Sequence, residues 1–194
     1  SIISGESGRN SFSGGKYIGH KTVERQLLNA ASNPNIAGVI LRVNSPGGSA
    51  WASDEIHRAV EIFKDSKKPI IASVGGVAAS GGYYIIAGVD RIFTEQTSIL
   101  GSIGIFGGKF VTSGLFQRFG VNTSVVKTHE SADAESMQRL WTPKEVQRIQ
   151  DHMDEFYRGF VEIVSTGRGL DTTLVDSLGQ GRIYTGVQAL DHGL

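Results

Sequence analysis

The stretch Ile70-Ile-Ala-Ser-Val-Gly-Gly-Val-Ala-Ala-Ser80-Gly-Gly-Tyr-Tyr-Ile-Ile-Ala87 runs from strand to helix through a single serine set among alanines and glycines. Its opening, Ile70 to Val74, is a short β-branched run that predicts a buried strand, and its close, Tyr83 to Ala87, continues apolar as a core helix does. Ser80 therefore falls near a helix N-terminus. Unpaired N–H groups and the positive end of the helix dipole there favour negative charge developing on or beside the hydroxyl. The pattern Ala78-x-Ser80-x-Gly82 has the logic of a nucleophile elbow, without the leading glycine of the usual motif. Serine is also a frequent N-cap, so this stretch alone supports a nucleophile and a plain cap equally.

A second glycine motif lies upstream. Ile36-Ala-Gly-Val-Ile-Leu-Arg-Val43 is almost continuously apolar, as a parallel strand covered on both faces must be, and it stops at Asn44-Ser-Pro-Gly-Gly-Ser49. Pro46 sets a rigid turn. Gly47 and Gly48 let backbone N–H groups approach a ligand with no Cβ in the way. If this loop faces the Ser80 turn, the N–H groups of Gly48 and Gly81 form a two-donor oxyanion hole. Losing one such donor typically costs about 3–4 kcal/mol of barrier. The plainer alternative is a Pro-Gly turn that ends a strand.

Outward from these motifs, helical and extended patterns alternate, which predicts an α/β fold with mostly parallel pairing. Thr22 to Ala31 places Val23, Leu27 and Leu28 on one helix face, stopped by Asn33-Pro34. Ser53 to Lys64 does the same with Ile56, Val60 and Phe63. Arg91 to Thr94 and Asn122 to Lys127 read as strands, separated by a helix carrying Phe110, Leu115 and Phe119. Thr142-Pro-Lys-Glu145 is a capping box with proline at the first helical position. It opens the longest helix, which carries Val146, Ile149, Met153, Phe156, Phe160 and Val164 and ends near Gly167-Arg-Gly169.

Composition fits one globular domain over residues 1–194, with 39% hydrophobic and 20% charged residues. The 19 basic and 19 acidic side chains cancel, and no basic stretch with interleaved aromatics appears, which argues against nucleic acid as a partner. With no cysteine, thiol catalysis, disulfides and thiolate metal sites are excluded. The histidines at 20, 57, 129, 152 and 192 show no H-E-x-x-H spacing, so neither a metal nor another cofactor is expected. No apolar run reaches the roughly 18 residues of a membrane span.

Three motifs, Asn44-Ser-Pro-Gly-Gly-Ser49, Val77-Ala-Ala-Ser-Gly-Gly-Tyr-Tyr84 and Leu100-Gly-Ser-Ile-Gly-Ile105, stand in the order and spacing of the signal peptide peptidase A (protease IV) family. The chain resembles that family over nearly its whole length, and most of all the C-terminal half of a tandem member. The resemblance implies a ClpP/crotonase-like fold, with a mostly parallel sheet and flanking helices, and a serine endopeptidase that cleaves residual signal peptides and other unfolded peptides. It implies Ser80 as nucleophile, Gly48 and Gly81 as oxyanion donors with Gly47 beside them, and a lysine as general base. Ser102 takes, by the same resemblance, a supporting role in holding that lysine; a turn serine between two strands is the alternative.

The resemblance also implies assembly, either as a homo-oligomer or with a tandem homologous half, and membrane proximity through parts absent from this chain. The corresponding location is the bacterial cell envelope with the site outside the cytoplasm, or else the plastid thylakoid membrane.

The lysine is where this chain departs from the single-domain pattern. There the base follows the strand that here reads Val121 to Lys127, but Thr128-His-Glu-Ser-Ala-Asp-Ala-Glu-Ser136 carries none, and Ala132 stands about where it is expected. In tandem members the N-terminal half supplies the lysine, so the expectation is a base from another half or subunit. Lys127 is the local fallback, but it reads first as a solvated surface charge, as most lysines are; Lys109 reads as more exposed still. The ends, Ser1-Ile-Ile-Ser-Gly5 and a finish at Leu194, read as those of an excised fragment. Two other functions compete. One is a catalytically silent scaffold half. The other is a crotonase-like acyl-CoA enzyme, which uses the same pair of backbone donors for an enolate. A Ser-His-Asp triad is disfavoured, since His129 is the first histidine after Ser80.

Overall fold

A computed structural model describes residues 1–11 and 14–194. In chain order its elements are β1 (Ile2–Ile3), β2 (Gly8–Arg9), β3 (Lys16–Gly19), α1 (His20–Ser32), β4 (Val39–Ser45), α2 (Ala50–Asp65), β5 (Ile70–Ala79), α3 (Gly81–Tyr84), β6 (Arg91–Phe93), β7 (Ile99–Gly101), α4 (Ser113–Arg118), α5 (Pro143–Arg168), α6 (Thr172–Leu178), β8 (Ile183–Thr185) and α7 (Gly186–His192). Among the described residues no helix is long and apolar enough to cross a membrane.

The principal sheet has the order β4-β5-β7-β8, with β6 also on β5. Pairing is parallel throughout except between β7 and β8; β4, expected to be covered on both faces, is buried on one only, with Ile40, Arg42 and Asn44 exposed on the other. β5 is its centre and continues past Val74 to Ala79, so the strand delivers the chain directly to Ser80. That extension passes through an irregularity. Val43 pairs with Val74 but Ser45 pairs with Ala78, so Gly75 and Gly76 are surplus in β5 and Asn44 stands opposite them. Asn44 Oδ1 accepts the Val77 N–H at 3.2 Å, replacing the ladder partner that the bulge removes. α2 covers this part of the sheet with Ile56, Val60 and Phe63, all fully buried together with Ile70 and Ala72. Its N-cap is Ser49, whose Oγ accepts the Ala52 N–H at 3.2 Å. A smaller sheet, β1-β3-β2, is joined to the Gly47-Gly48 bend through Ile2.

Three further expectations are corrected. Tyr83 to Ala87 is no continuous helix: α3 makes one turn and the chain then bends, with Tyr83, Ile86 and Ala87 fully buried all the same. An apolar run of that length fits a buried turn as well as a buried helix. Residues 122–127 form no strand, and Val126 is 99% exposed. An extended segment becomes a strand only when a neighbour takes its N–H and C=O groups, and none of the described strands pairs with it. The helix expected to carry Phe110, Leu115 and Phe119 is the short α4, which includes only Leu115 of the three.

The chain divides into two compact units, Ser1–Ile105 with Tyr157–Leu194, and Phe106–Phe156. In the first, the C-terminal part of α5 buries Phe160 and Val164. The second is held by Arg139, which donates to Asp133 Oδ1 and to Glu145 Oε2, each at 2.7 Å. The expected capping box is present there: the Thr142 N–H meets Glu145 Oε2 at 2.8 Å and the Glu145 N–H meets Thr142 Oγ1 at 3.3 Å. Hydrogen bonds from the Arg139 guanidinium hold both carboxyls well below their usual range.

A carboxyl whose folded pKa is depressed adds stability above its unfolded pKa, and that contribution is lost as pH falls toward the folded value. Arg139→Met leaves the buried Glu145 charge without its cation. The variant is therefore expected to melt below the parent at neutral pH, and the gap to shrink below about pH 4, where ordinary carboxyls protonate. Thermal melts at a series of pH values check this; a gap independent of pH would refute it.

Candidate active site

Ser80 sits where β5 ends and α3 begins, with φ 50° and ψ −126°. For a residue with a Cβ this conformation is strained by roughly 1–3 kcal/mol and persists only where the surroundings over-determine it. They do so here. The Ser80 N–H donates to the Gly101 carbonyl at 2.9 Å, and the Ser80 carbonyl accepts the N–H groups of Tyr83 and Tyr84, both at 2.9 Å. The side chain, by contrast, makes no capping hydrogen bond. A serine kept for its cap would spend its hydroxyl on the helix; this one makes no hydrogen bond with its hydroxyl among the described residues.

The loop after β4 meets this turn through Gly47, as the two glycine motifs lead one to expect. Gly47 has φ 106°, and a Cβ there would lie 2.9 Å from both the Gly81 nitrogen and Ser80 Cβ. Fully buried Ser45 fixes the bend, its Oγ accepting the Gly47 N–H at 3.2 Å. On the other side Ile2 clamps it: the Ile2 N–H donates to the Gly47 carbonyl and the Ser49 N–H to the Ile2 carbonyl, both at 2.9 Å. Neither bond uses the Gly48 N–H, which has no acceptor among the described residues. The Gly81 N–H, first in α3, has no partner within the helix. Both N–H groups thus lack an acceptor among the described residues. Gly81 must be bare as well, since a Cβ on it would fall 2.3 Å from Ser53 Oγ, which itself donates to the Ser49 carbonyl at 2.8 Å.

Ser102 also has a positive φ, 48°, and its N–H donates to the Arg182 carbonyl at 2.7 Å. It directly follows Gly101, whose carbonyl anchors Ser80, so both serines hang from one backbone junction. Four of the lysines are engaged elsewhere. Lys127, in the Phe106–Phe156 unit, donates to the Glu130 carbonyl at 2.9 Å and to Asp133 Oδ1 at 3.0 Å. Lys109 is partly buried rather than exposed, because the carbonyls of Ala134 and Ser136 take its ammonium and it lies 5.4 Å from the Trp141 ring centre. Lys64 donates to the Gly88 carbonyl, and Lys68 to carbonyls at the end of α1. Among the described residues no amine is hydrogen-bonded to the Ser80 hydroxyl.

Sequence reasoning missed Ser45, Ser53 and the Gly101 carbonyl as supports. Ser45 lies inside a quoted motif, yet its role depends on the bulge in β5, for which Gly75-Gly76 is the only local signal.

Residues 62–194 match the Peptidase family S49. The chain is 40% identical over 194 residues to Protease 4 of Haemophilus influenzae, covering all of itself and 30% of that protein. It is 38% identical over 193 residues to the putative signal peptide peptidase SppA of Enterococcus faecium, covering 56% of it. With the chloroplastic serine protease SPPA of Arabidopsis thaliana it shares 29% identity over 193 residues, or 28% of that chain. It thus spans between 28% and 56% of the length of these relatives. Among solved structures it is similar to a mutant ClpP1 from Listeria monocytogenes, with TM-score 0.59 and 15% identity, over 90% of this chain and 80% of the other. That likeness establishes the α/β, ClpP-like fold.

Proposed function

The chain belongs to peptidase family S49, and from that premise we propose that it carries the nucleophile and the oxyanion cradle of a serine peptidase site whose lysine base comes from another half or subunit. One observation carries the reading: Ser80 is held in a strained backbone conformation against Gly47, with its hydroxyl making no hydrogen bond among the described residues. Ser80 Oγ attacks the scissile carbonyl carbon while its proton passes to the neutral amine of the lysine. The N–H groups of Gly48 and Gly81 receive the oxyanion, and Gly47 keeps them in register. Collapse expels the amine, which takes the proton back from the ammonium, and water then cleaves the ester by the same route. Ser102 orients the incoming lysine.

The substrates proposed are unfolded, apolar peptides, residual signal peptides among them. The setting is the membrane surface of the cell envelope, or its plastid counterpart, within a larger assembly. The reading is supported by Lys127, the local fallback, being engaged elsewhere by a carboxylate and a carbonyl.

The test compares the monomeric chain with the chain mixed with a lysine-bearing homologous half. Alone, it is expected to hydrolyse an unfolded peptide barely above background, and turnover is expected to appear on mixing. Brisk turnover by the monomer that vanishes in Lys127→Ala would install Lys127 as base and end the shared-site proposal. If a serine-directed fluorophosphonate leaves Ser80 unlabelled in the mixture, the silent scaffold is the better reading.

A further inference from the structure

At Gly75-Gly76, β5 changes its pairing on both edges at once. On one edge β6 pairs with it as far as Ser73, and β7 takes over only from Val77. On the other, β4 keeps one register up to Val43 and Val74 and resumes at Ser45 and Ala78 in another. No described strand pairs with Gly75 or Gly76. Two glycines without ladder partners leave the backbone free to settle in more than one way, and they lie just ahead of Ser80.

The offset decides what meets Ser80. Carried two residues beyond Ser45 and Ala78, the lower register sets Gly47 level with Ser80, which agrees with a Cβ on Gly47 lying 2.9 Å from Ser80 Cβ. In the register of Val43 and Val74, Gly47 would stand level with Ala78 instead. The bulge thus selects the residue that the loop faces, and bulges beside reactive turns re-aim side chains in this way.

Two side chains hold it, one from each edge. Asn44 Oδ1 accepts the Val77 N–H at 3.2 Å, and the bare Gly75 admits the asparagine, since a Cβ there would lie 3.3 Å from both Asn44 Cβ and Asn44 Cγ. Asn44 itself is exposed, so no packing in the core calls for it. From the other edge Ser98, only 3% exposed, donates its hydroxyl to the Gly75 carbonyl at 2.6 Å. Its own N–H is fixed by the Glu95 carbonyl at 3.1 Å. A hydroxyl so withdrawn from water is costly unless it is bonded, and this one is bonded to the bulge.

We propose, resting on the assignment of Ser80 as nucleophile, that Asn44 and Ser98 are positioning residues for the reaction: they clamp the Gly75-Gly76 bulge so that Gly47, and with it the Gly48 N–H, stands level with Ser80. Neither side chain meets the reacting atoms. Each acts through the backbone of β5, Asn44 as an acceptor and Ser98 as a donor.

The test pairs Asn44→Ala, which removes the acceptor, with Asn44→Asp, which keeps an oxygen in its place, and adds Ser98→Ala. In the chain mixed with a lysine-bearing homologous half, each alanine variant is expected to lower kcat about 10- to 100-fold with KM changed less than about twofold, the scale of a small misplacement of reacting groups. Asn44→Asp is expected to restore kcat, because a carboxylate accepts the same N–H. A loss of folded protein alone would not divide kcat from KM or distinguish aspartate from alanine. A second readout needs no turnover. NMR of the chain alone follows the protection of the Val77 amide from exchange and the proton contact between Gly47 and Ser80. The contact is expected to be lost in both alanine variants, the protection in Asn44→Ala, and both are expected to persist in Asn44→Asp. In either alanine variant a contact retained or a kcat unchanged would overturn the inference, as would an aspartate variant no better than alanine. A parent mixture that neither turns over nor labels at Ser80 defeats the peptidase reading and the catalytic role with it, while the NMR arm still decides whether the two side chains set the register.

Discussion

Ser80→Ala is expected to lower peptide hydrolysis by the assembled site at least about 10⁴-fold, the scale on which loss of a serine nucleophile is felt, and to abolish fluorophosphonate labelling. Its thermal stability is expected to stay near that of the parent. The methyl group keeps the Cβ, and with it the strain of φ 50°, while the hydroxyl it replaces makes no hydrogen bond to lose. Ser80→Gly separates function from strain more sharply. Glycine adopts that conformation freely, so the variant should be equally inactive yet melt higher, by an amount on the order of 1 kcal/mol of relieved strain. Residual turnover above about 1% in either variant would mean that another group attacks the substrate. A serine retained for folding alone would show the opposite result, a loss of melting temperature with Ser80→Ala.

The second large effect is expected from Gly47→Ala, which leaves every proposed reacting group in place. The added Cβ is opposed twice, by the backbone at φ 106° and by the Gly81 nitrogen and Ser80 Cβ at 2.9 Å. Neither neighbour can swing aside as the end of a flexible side chain could, since Gly81 opens α3 and Ser80 is pinned to Gly101. The bend must retreat from the turn, carrying the Gly48 N–H with it. If that donor serves the oxyanion, kcat should fall about 10²- to 10³-fold while KM changes little, because the interaction lost is one made in the transition state. Gly108→Ala is the control: nothing lies within 4 Å of its added Cβ, so it should be neutral. Steady-state kinetics alongside thermal melts decide the matter, and full activity in a normally folded Gly47→Ala chain would remove the loop from the proposed oxyanion hole.

The expectations fared according to how local their causes were. The capping box at Thr142 to Glu145 was readable because both of its bonds span three residues, and both are present. The α2 stripe of Ile56, Val60 and Phe63 was readable because helical spacing alone puts these side chains on one face. The contact of the Gly47 bend with Ser80 was an inference of a different order, joining segments more than thirty residues apart; it rested on two glycine motifs having a use for each other. The failures share the inverse cause. Residues 122–127 carry the β-branched residues of a strand, Thr123, Val125 and Val126, but nothing within those six positions says whether a partner edge exists.

By itself, then, the sequence determined the parallel α/β character, the strand-to-helix turn that presents Ser80 and the bare glycine backbone on either side of it, since side-chain branching, caps and missing Cβ atoms act within a few residues. The tertiary structure alone decided that β5 bulges at Gly75-Gly76 to reach Ser80, that Ser45 and Ile2 clamp the Gly47 bend, and that Lys109 and Lys127 are engaged away from the serine hydroxyl. Those outcomes depend on which distant segment takes each backbone donor and acceptor and how closely two backbones can approach, and such partners are fixed only when the whole chain has packed.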